Sequence, residues 1–453
     1  MRRGIKLFLT FIILLFTFIP TRFAHAQGSV EFSDFSSVNH FPQEAVFSAH
    51  ASSDGSQIVS AQFVFSSDGY YSTESYSKIA VDIRPGQDVD LDFTWFTGGG
   101  TALPWSYITY YWDVVDADGN HYRSDQLSFR YDDVRFDWQS LENNDISVWW
   151  HDRSASFGQG VFDIAARAVR DQRNVFQTDL DYPVRIVIYN TFDEYAEWRG
   201  NAHEWVGGET YPDYGVTVQI VESSFYQKSW LEDVIPHEIS HLYFAQATHN
   251  PTVSVPTWLN EGVSQYNEYG SNTSALNNAR DAAKGGDLIP LSRLADGFGG
   301  YNQERVYLAY DESLSAVKYF ADTFGEKSLG ALLHAYKEGK TTNDAFKAAI
   351  GMDAGAFEAQ WATYLGIPDN YVTPTPWALP TFRPAPTMAI IGQAPPTPKP
   401  KPTRETVPTE PPATGESTPN RPSLPCTSFA PVLALGLGTL FYRGNRRKGG
   451  KHV

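Results

Sequence analysis

The sequence predicts a multidomain chain, an all-β sandwich of immunoglobulin-like type followed by an α+β domain. Three observations carry this. From about Val30 to Arg135, β-branched and aromatic runs alternate with turn formers. Beyond Asp137 apolar residues recur at helical spacing through to Ile367. Past Ile367 proline and threonine take over, with 17 of the 28 prolines lying between Pro368 and Pro425. That last composition makes an extended spacer, not a packed core.

Residues 1–26 read as a secretory signal peptide. Arg2, Arg3 and Lys6 give the positive start, Leu7 to Ile19 is apolar, and Ala24-His25-Ala26 offers small residues for cleavage. The sandwich, an accessory domain over 27–137, contains "QIVSAQFVFSS", "KIAVDIRPGQDVDLDFTWF", "SYITYYWDVVDADGNHY" and "DQLSFRY". Asp68-Gly69, Pro85-Gly86, Gly98 to Gly100 and Asp118-Gly119 separate these runs as turns. Trp95, Trp105, Tyr110, Tyr111 and Trp112 supply either strand core or a carbohydrate-stacking platform. In the α+β domain, 138–367, "ISVWW" is a strand, followed by a helix with Val161, Ile164, Ala165, Ala168 and Val169 on one face. "PVRIVIY" and "GGETYPDYGVTVQIVESS" continue the strands, with a helix opened by Thr191 or Asp193 between them. The later helices run through "HEISHLYFAQA", "NEGVSQYNEY", "SLSAVKYFADTF", "LGALLHAYKEG", "TNDAFKAAI" and "AGAFEAQWATYL".

Charge and cysteine content exclude several classes. Residues 27–367 hold 48 acidic and 21 basic side chains, a balance of −27 that argues against nucleic acid as a partner. The single cysteine, Cys426, forbids an internal disulfide. No G-x-S-x-G sequence and no phosphate-binding glycine loop is present. After the 368–425 spacer, residues 426–453 form a short apolar segment with a basic tail, written like a membrane or cell-envelope anchor or a surface-sorting signal. Cys426 is either a processing or lipidation point there, or a free thiol.

The chemistry concentrates at "PHEISH". Positions i and i+4 share a helix face, so His237 and His241 can aim both imidazoles at one ion. Zinc takes such nitrogen and oxygen donors, and a catalytic site leaves one position for water, whose pKa falls toward ~7. Glu238 lies between the two histidines as a candidate proton acceptor. Nineteen residues separate His241 from Glu261, which stands in "TWLNEGVSQY" at the start of a second helix. HEISH followed by WLNEG resembles the gluzincin metallopeptidases, specifically the bacterial peptidase MA group.

That resemblance covers 138–367. It implies a zincin-like (thermolysin-like) fold with one Zn2+ on His237, His241 and Glu261, and Glu238 as general base and later proton donor. It also implies a peptide or protein substrate and edge pairing of the substrate backbone on the strand before the active-site helix, a slot that "YGVTVQI" fits. Tyr310, with Tyr307 behind it, is the candidate for stabilising the oxyanion. Glu268, Asn267 and Asn260 are all available to orient the histidines. Pro236, directly before His237, is compatible with a helix capped near Asp233, where it falls in the first turn.

The reading is an exported, surface-tethered zinc metallopeptidase, an endopeptidase or related amide hydrolase, with its C-terminus cytoplasmic if unprocessed. Two rivals stand beside it. One is a cell-surface protein that binds glycan or protein and uses the zinc domain as a scaffold. The other is a stalk protein carrying the motif by chance.

Overall fold

The computed structural model describes residues 28–368, apart from 68, 72–75, 99, 101, 201–206, 223–227 and 271–272. The signal peptide, the C-terminal segment and all of the Pro/Thr-rich spacer but its first residue lie outside these. Among the described residues, no helix is long and apolar enough to cross a membrane.

Eight strands open the chain: β1 (Val30–His40), β2 (Glu44–Ser53), β3 (Ile58–Ser67), β4 (Ser77–Val81), β5 (Asp88–Phe96), β6 (Ser106–Asp116), β7 (His121–Arg123) and β8 (Leu127–Tyr131). They form two antiparallel sheets, one in the order β1-β2-β5 and one in the order β4-β3-β6-β7, with β8 also paired to β6. Period-two burial drives the arrangement. Ala45, Phe47, Ala49 and Ala51 of β2 and Val89, Leu91, Phe93 and Trp95 of β5 all point inward. Across the gap Phe63 of β3 stacks on Phe93 at 4.4 Å between ring centroids. Of the five aromatics weighed as a carbohydrate platform, Trp95, Trp105, Tyr110 and Trp112 lie in this core, and Tyr111 is buried on the other face of β6 under the Arg123 guanidinium.

The second region begins with β9 (Gln139–Glu142), β10 (Ile146–Trp150), α1 (Ala155–Phe176), β11 (Val184–Tyr189), α2 (Phe192–Arg199), β12 (Gly208–Tyr211) and β13 (Val216–Ile220). Its sheet runs β12-β13-β11-β10-β9, with β10, β11 and β13 parallel and both outer strands antiparallel to their neighbours. Helices follow: α3 (Lys228–Thr248), α4 (Thr257–Tyr266), α5 (Thr273–Gly285), α6 (Gln303–Phe324), α7 (Glu326–Lys337), α8 (Thr342–Ile350) and α9 (Ala354–Leu365). Local signals explain the starts. Ser154 caps α1 by accepting from the Phe157 amide, and Thr191 with Glu194 forms a complete capping box on α2.

The mixed sheet is covered on both faces. Val184, Ile186 and Ile188 of β11 join the core under the helices, while Val187 and Tyr189 of the same strand join the sandwich core. Val216, Val218 and Ile220 of β13 also turn toward the sandwich. An unbroken apolar run such as "VRIVIY" is what a strand buried on both sides requires.

Two expectations are corrected here. "YGVTVQI" is not an edge: β13 is paired on one side by β11 and on the other by β12. The edge is β12, because Pro212–Tyr214 forms a 3-10 turn and Gly215, at φ 64°, reverses the chain. Nor does α3 start near Asp233. It starts by Lys228, and Pro236 lies inside it.

Candidate metal centre

The site is built by α3, α4 and the edge strand. α3 presents His237 and His241 one turn apart, their ring centroids 5.0 Å from each other. α4 returns across α3 and brings Glu261 to the same point. His237, His241 and Glu261 each offer a ligand atom, all within 4.8 Å of one another, and all three side chains are buried. Glu261 Oε2 lies 3.6 Å from His237 Nε2 and 3.8 Å from His241 Nε2.

The hydrogen bonding around this trio is one-sided. His237 Nδ1 donates to Glu268 Oε1 at 2.8 Å, and His241 Nδ1 to Asn260 Oδ1 at 3.0 Å, with Ser264 Oγ 3.2 Å from the same nitrogen. With Nδ1 protonated, each Nε2 carries the free lone pair. Those two Nε2 atoms and both oxygens of Glu261 are buried with no hydrogen-bond partner among the described residues. Four unpartnered acceptor atoms facing one another would cost several kcal/mol without a shared cation. A divalent cation that takes nitrogen and oxygen ligands fits them.

Glu238 completes the group. It is fully buried, and Thr210 Oγ1 on β12 donates to its Oε2 at 2.5 Å, while its Oε1 has no partner among the described residues. Burial pushes its carboxyl up, against the pull of the His241 and His237 imidazoles. In the ion-free site burial pushes the His237 imidazole down, but the Glu261 and Glu268 carboxylates outweigh it and lift it to about 10, holding a proton that a bound cation displaces.

The structure therefore brings His237, Glu238, His241 and Glu261 together. Of the three candidates for orienting the histidines, it uses Glu268 and Asn260. Asn267 turns away and donates to Ser240 Oγ and the Val263 carbonyl. Tyr310 is buried on α6, edge-on to Phe298 at 5.0 Å, one turn before the point where Gly262 meets the Ser313 carbonyl. Tyr307 instead accepts from Gln303 Nε2 at the surface. Sequence reasoning missed Thr210 and Ser264. Ser264 could have been found, since it lies three residues past Glu261 on the same helix face; Thr210 could not, because its strand was read as part of the next one.

Two histidines and a carboxylate around one point, beside a further buried glutamate, are the donor set of a hydrolytic metal centre. Residues 165–366 match the family model described as Peptidase MA superfamily, which makes that region a peptidase domain. No curated protein sequence matches the chain. Among solved structures, the M1 zinc metallopeptidase of Deinococcus radiodurans is similar at 13% identity, covering 77% of this chain and 95% of that one, with a TM-score of 0.35. An aminopeptidase N family protein of Idiomarina loihiensis is similar at 8% identity, covering 73% and 75%, with a TM-score of 0.36. Likenesses at this level carry no conclusion about this chain.

Proposed function

We propose that His237 Nε2, His241 Nε2 and Glu261 hold the zinc, and that Glu238 is the general base for peptide-bond hydrolysis. The observation that carries this is the set of orphaned, buried ligand atoms whose histidines are each fixed from behind through Nδ1. Bound there, zinc supplies Lewis acidity that makes water acidic and a carbonyl electrophilic. Glu238 receives the proton of the attacking water on Oε1, its open oxygen, while Thr210 keeps Oε2 in place. The same carboxyl then delivers the proton to the departing nitrogen. The substrate backbone adds to the outer edge of β12, beside Thr210. Tyr310 is the phenol assigned to the developing oxyanion, because α6 packs on α4 beside Glu261.

Elemental analysis of purified protein tests the assignment. One zinc per parent chain is expected, and none in His241→Ala or Glu261→Ala. Equal zinc in parent and variants would place the ion elsewhere.

The same reading places the enzyme outside the cytoplasm. Cleavage after Ala26 is supported by the small residues there, and the 368–425 spacer with the basic-tailed 426–453 segment suits tethering to membrane or cell envelope. The N-terminal sheets are read as an immunoglobulin-like unit within that exported chain. Intact-mass measurement of the mature protein checks the first half: a start at Gln27 is expected, and an intact Met1 would refute export by cleavage.

A further inference from the structure

We infer that Pro236 is a positioning residue for the metal centre, acting through the segment that carries Glu268. The proposal rests on the ligand assignment above. In an uninterrupted helix the amide of residue 236 would donate to the carbonyl of Glu232. Proline has no amide hydrogen, and its ring crowds the carbonyl four residues back. The Glu232 carbonyl therefore has no donor at residue 236, and the Tyr269 amide donates to it at 3.3 Å.

Tyr269 follows Glu268, the carboxylate that holds His237 Nδ1. The next residue is fixed too. Gly270 donates its amide to Asp233, and a Cβ there would lie 2.5 Å from Asp233 Oδ1, a close approach of this segment to α3. The Tyr269 side chain is gripped from α1, with the Arg167 guanidinium 3.7 Å from its ring centroid and its hydroxyl donating to Asp171 at 3.1 Å. The missing hydrogen bond of the ligand helix thus becomes the docking point for the segment behind its first ligand. Gln172 Nε2 donates to the Pro236 carbonyl at 2.6 Å and holds the other side of the irregular turn.

The test is a double-mutant cycle of Pro236→Ala and Glu268→Ala, read by zinc affinity in competition with a chelator and by amide exchange at Tyr269. Pro236→Ala restores the helical donor. It is expected to weaken zinc binding about tenfold, the lower end for loss of a group behind a histidine ligand. The Tyr269 amide should exchange faster in the same variant, and resistance to urea of the zinc-free protein should not fall. Added to Glu268→Ala, the proline substitution should cost no further affinity. Parent-level zinc affinity with a still-protected Tyr269 amide overturns the proposal, as does a tenfold loss that persists without Glu268. If His241→Ala binds zinc as the parent does, the ligand assignment fails, and this proposal falls with it.

Discussion

Glu238→Gln is expected to keep its zinc and to hydrolyse peptides about 10²–10⁴-fold more slowly, the usual contribution of a positioned acid–base group. The substitution preserves shape and the Thr210 contact, since the remaining amide oxygen can still accept from Oγ1. What it removes is a proton acceptor on the open side of the carboxyl. Turnover on a peptide library and zinc content should be measured on the same samples. Parent-level turnover with zinc bound would remove Glu238 from the mechanism. A surface-binding protein that uses the zinc domain as a scaffold gives a different pattern, with zinc in parent and variant and hydrolysis in neither.

The second large effect is expected at Gly262→Ala. A Cβ at this position would lie 2.4 Å from the Ser313 carbonyl oxygen, 2.7 Å from its carbon and 2.8 Å from Val317 Cγ2. Two of these three atoms are backbone, so relief requires α4 and α6 to move apart. Overpacking of this kind costs about 1–3 kcal/mol. Because Glu261 is the preceding residue, the same shift carries a ligand away from the histidines. Urea unfolding of the zinc-free protein should show the loss of stability, and chelator competition should show weaker zinc binding. Parent values in both would mean that α4 and α6 part at no cost and that the contact does not hold Glu261.

The chemistry of the site was legible because it is written in short-range spacing. His237 and His241 share a face through helix geometry alone, and the WLNEG segment marks Glu261 as a partner twenty residues on. The edge strand was illegible for the opposite reason. "GGETYPDYGVTVQI" is one β-prone run, and the reversal inside it depends on a three-residue 3-10 turn and the positive φ of Gly215. Thr210 was hidden with it. α5 went unread because its buried positions are Ala275, Ala279 and Ala283, which barely raise the hydrophobic signal. A proline as close to a candidate capping aspartate as Pro236 is to Asp233 reads locally as a helix start. The compensation for placing it inside a helix lies 33 residues away at Tyr269, beyond the reach of any local pattern.

The sheet between the two halves sets how the protein can be divided. Tyr189, Val216, Val218 and Ile220 face the sandwich core, and Tyr195 and Trp198 of α2 are buried there as well. A cut at residue 137 would bare this whole apolar face, on the very sheet whose edge carries Thr210. The first hundred or so residues are thus a missing wall of the peptidase, more than cargo attached to it. Insertions that the rest of a modular protein would absorb at a domain boundary would here be felt as a fault in the catalytic half's own foundation.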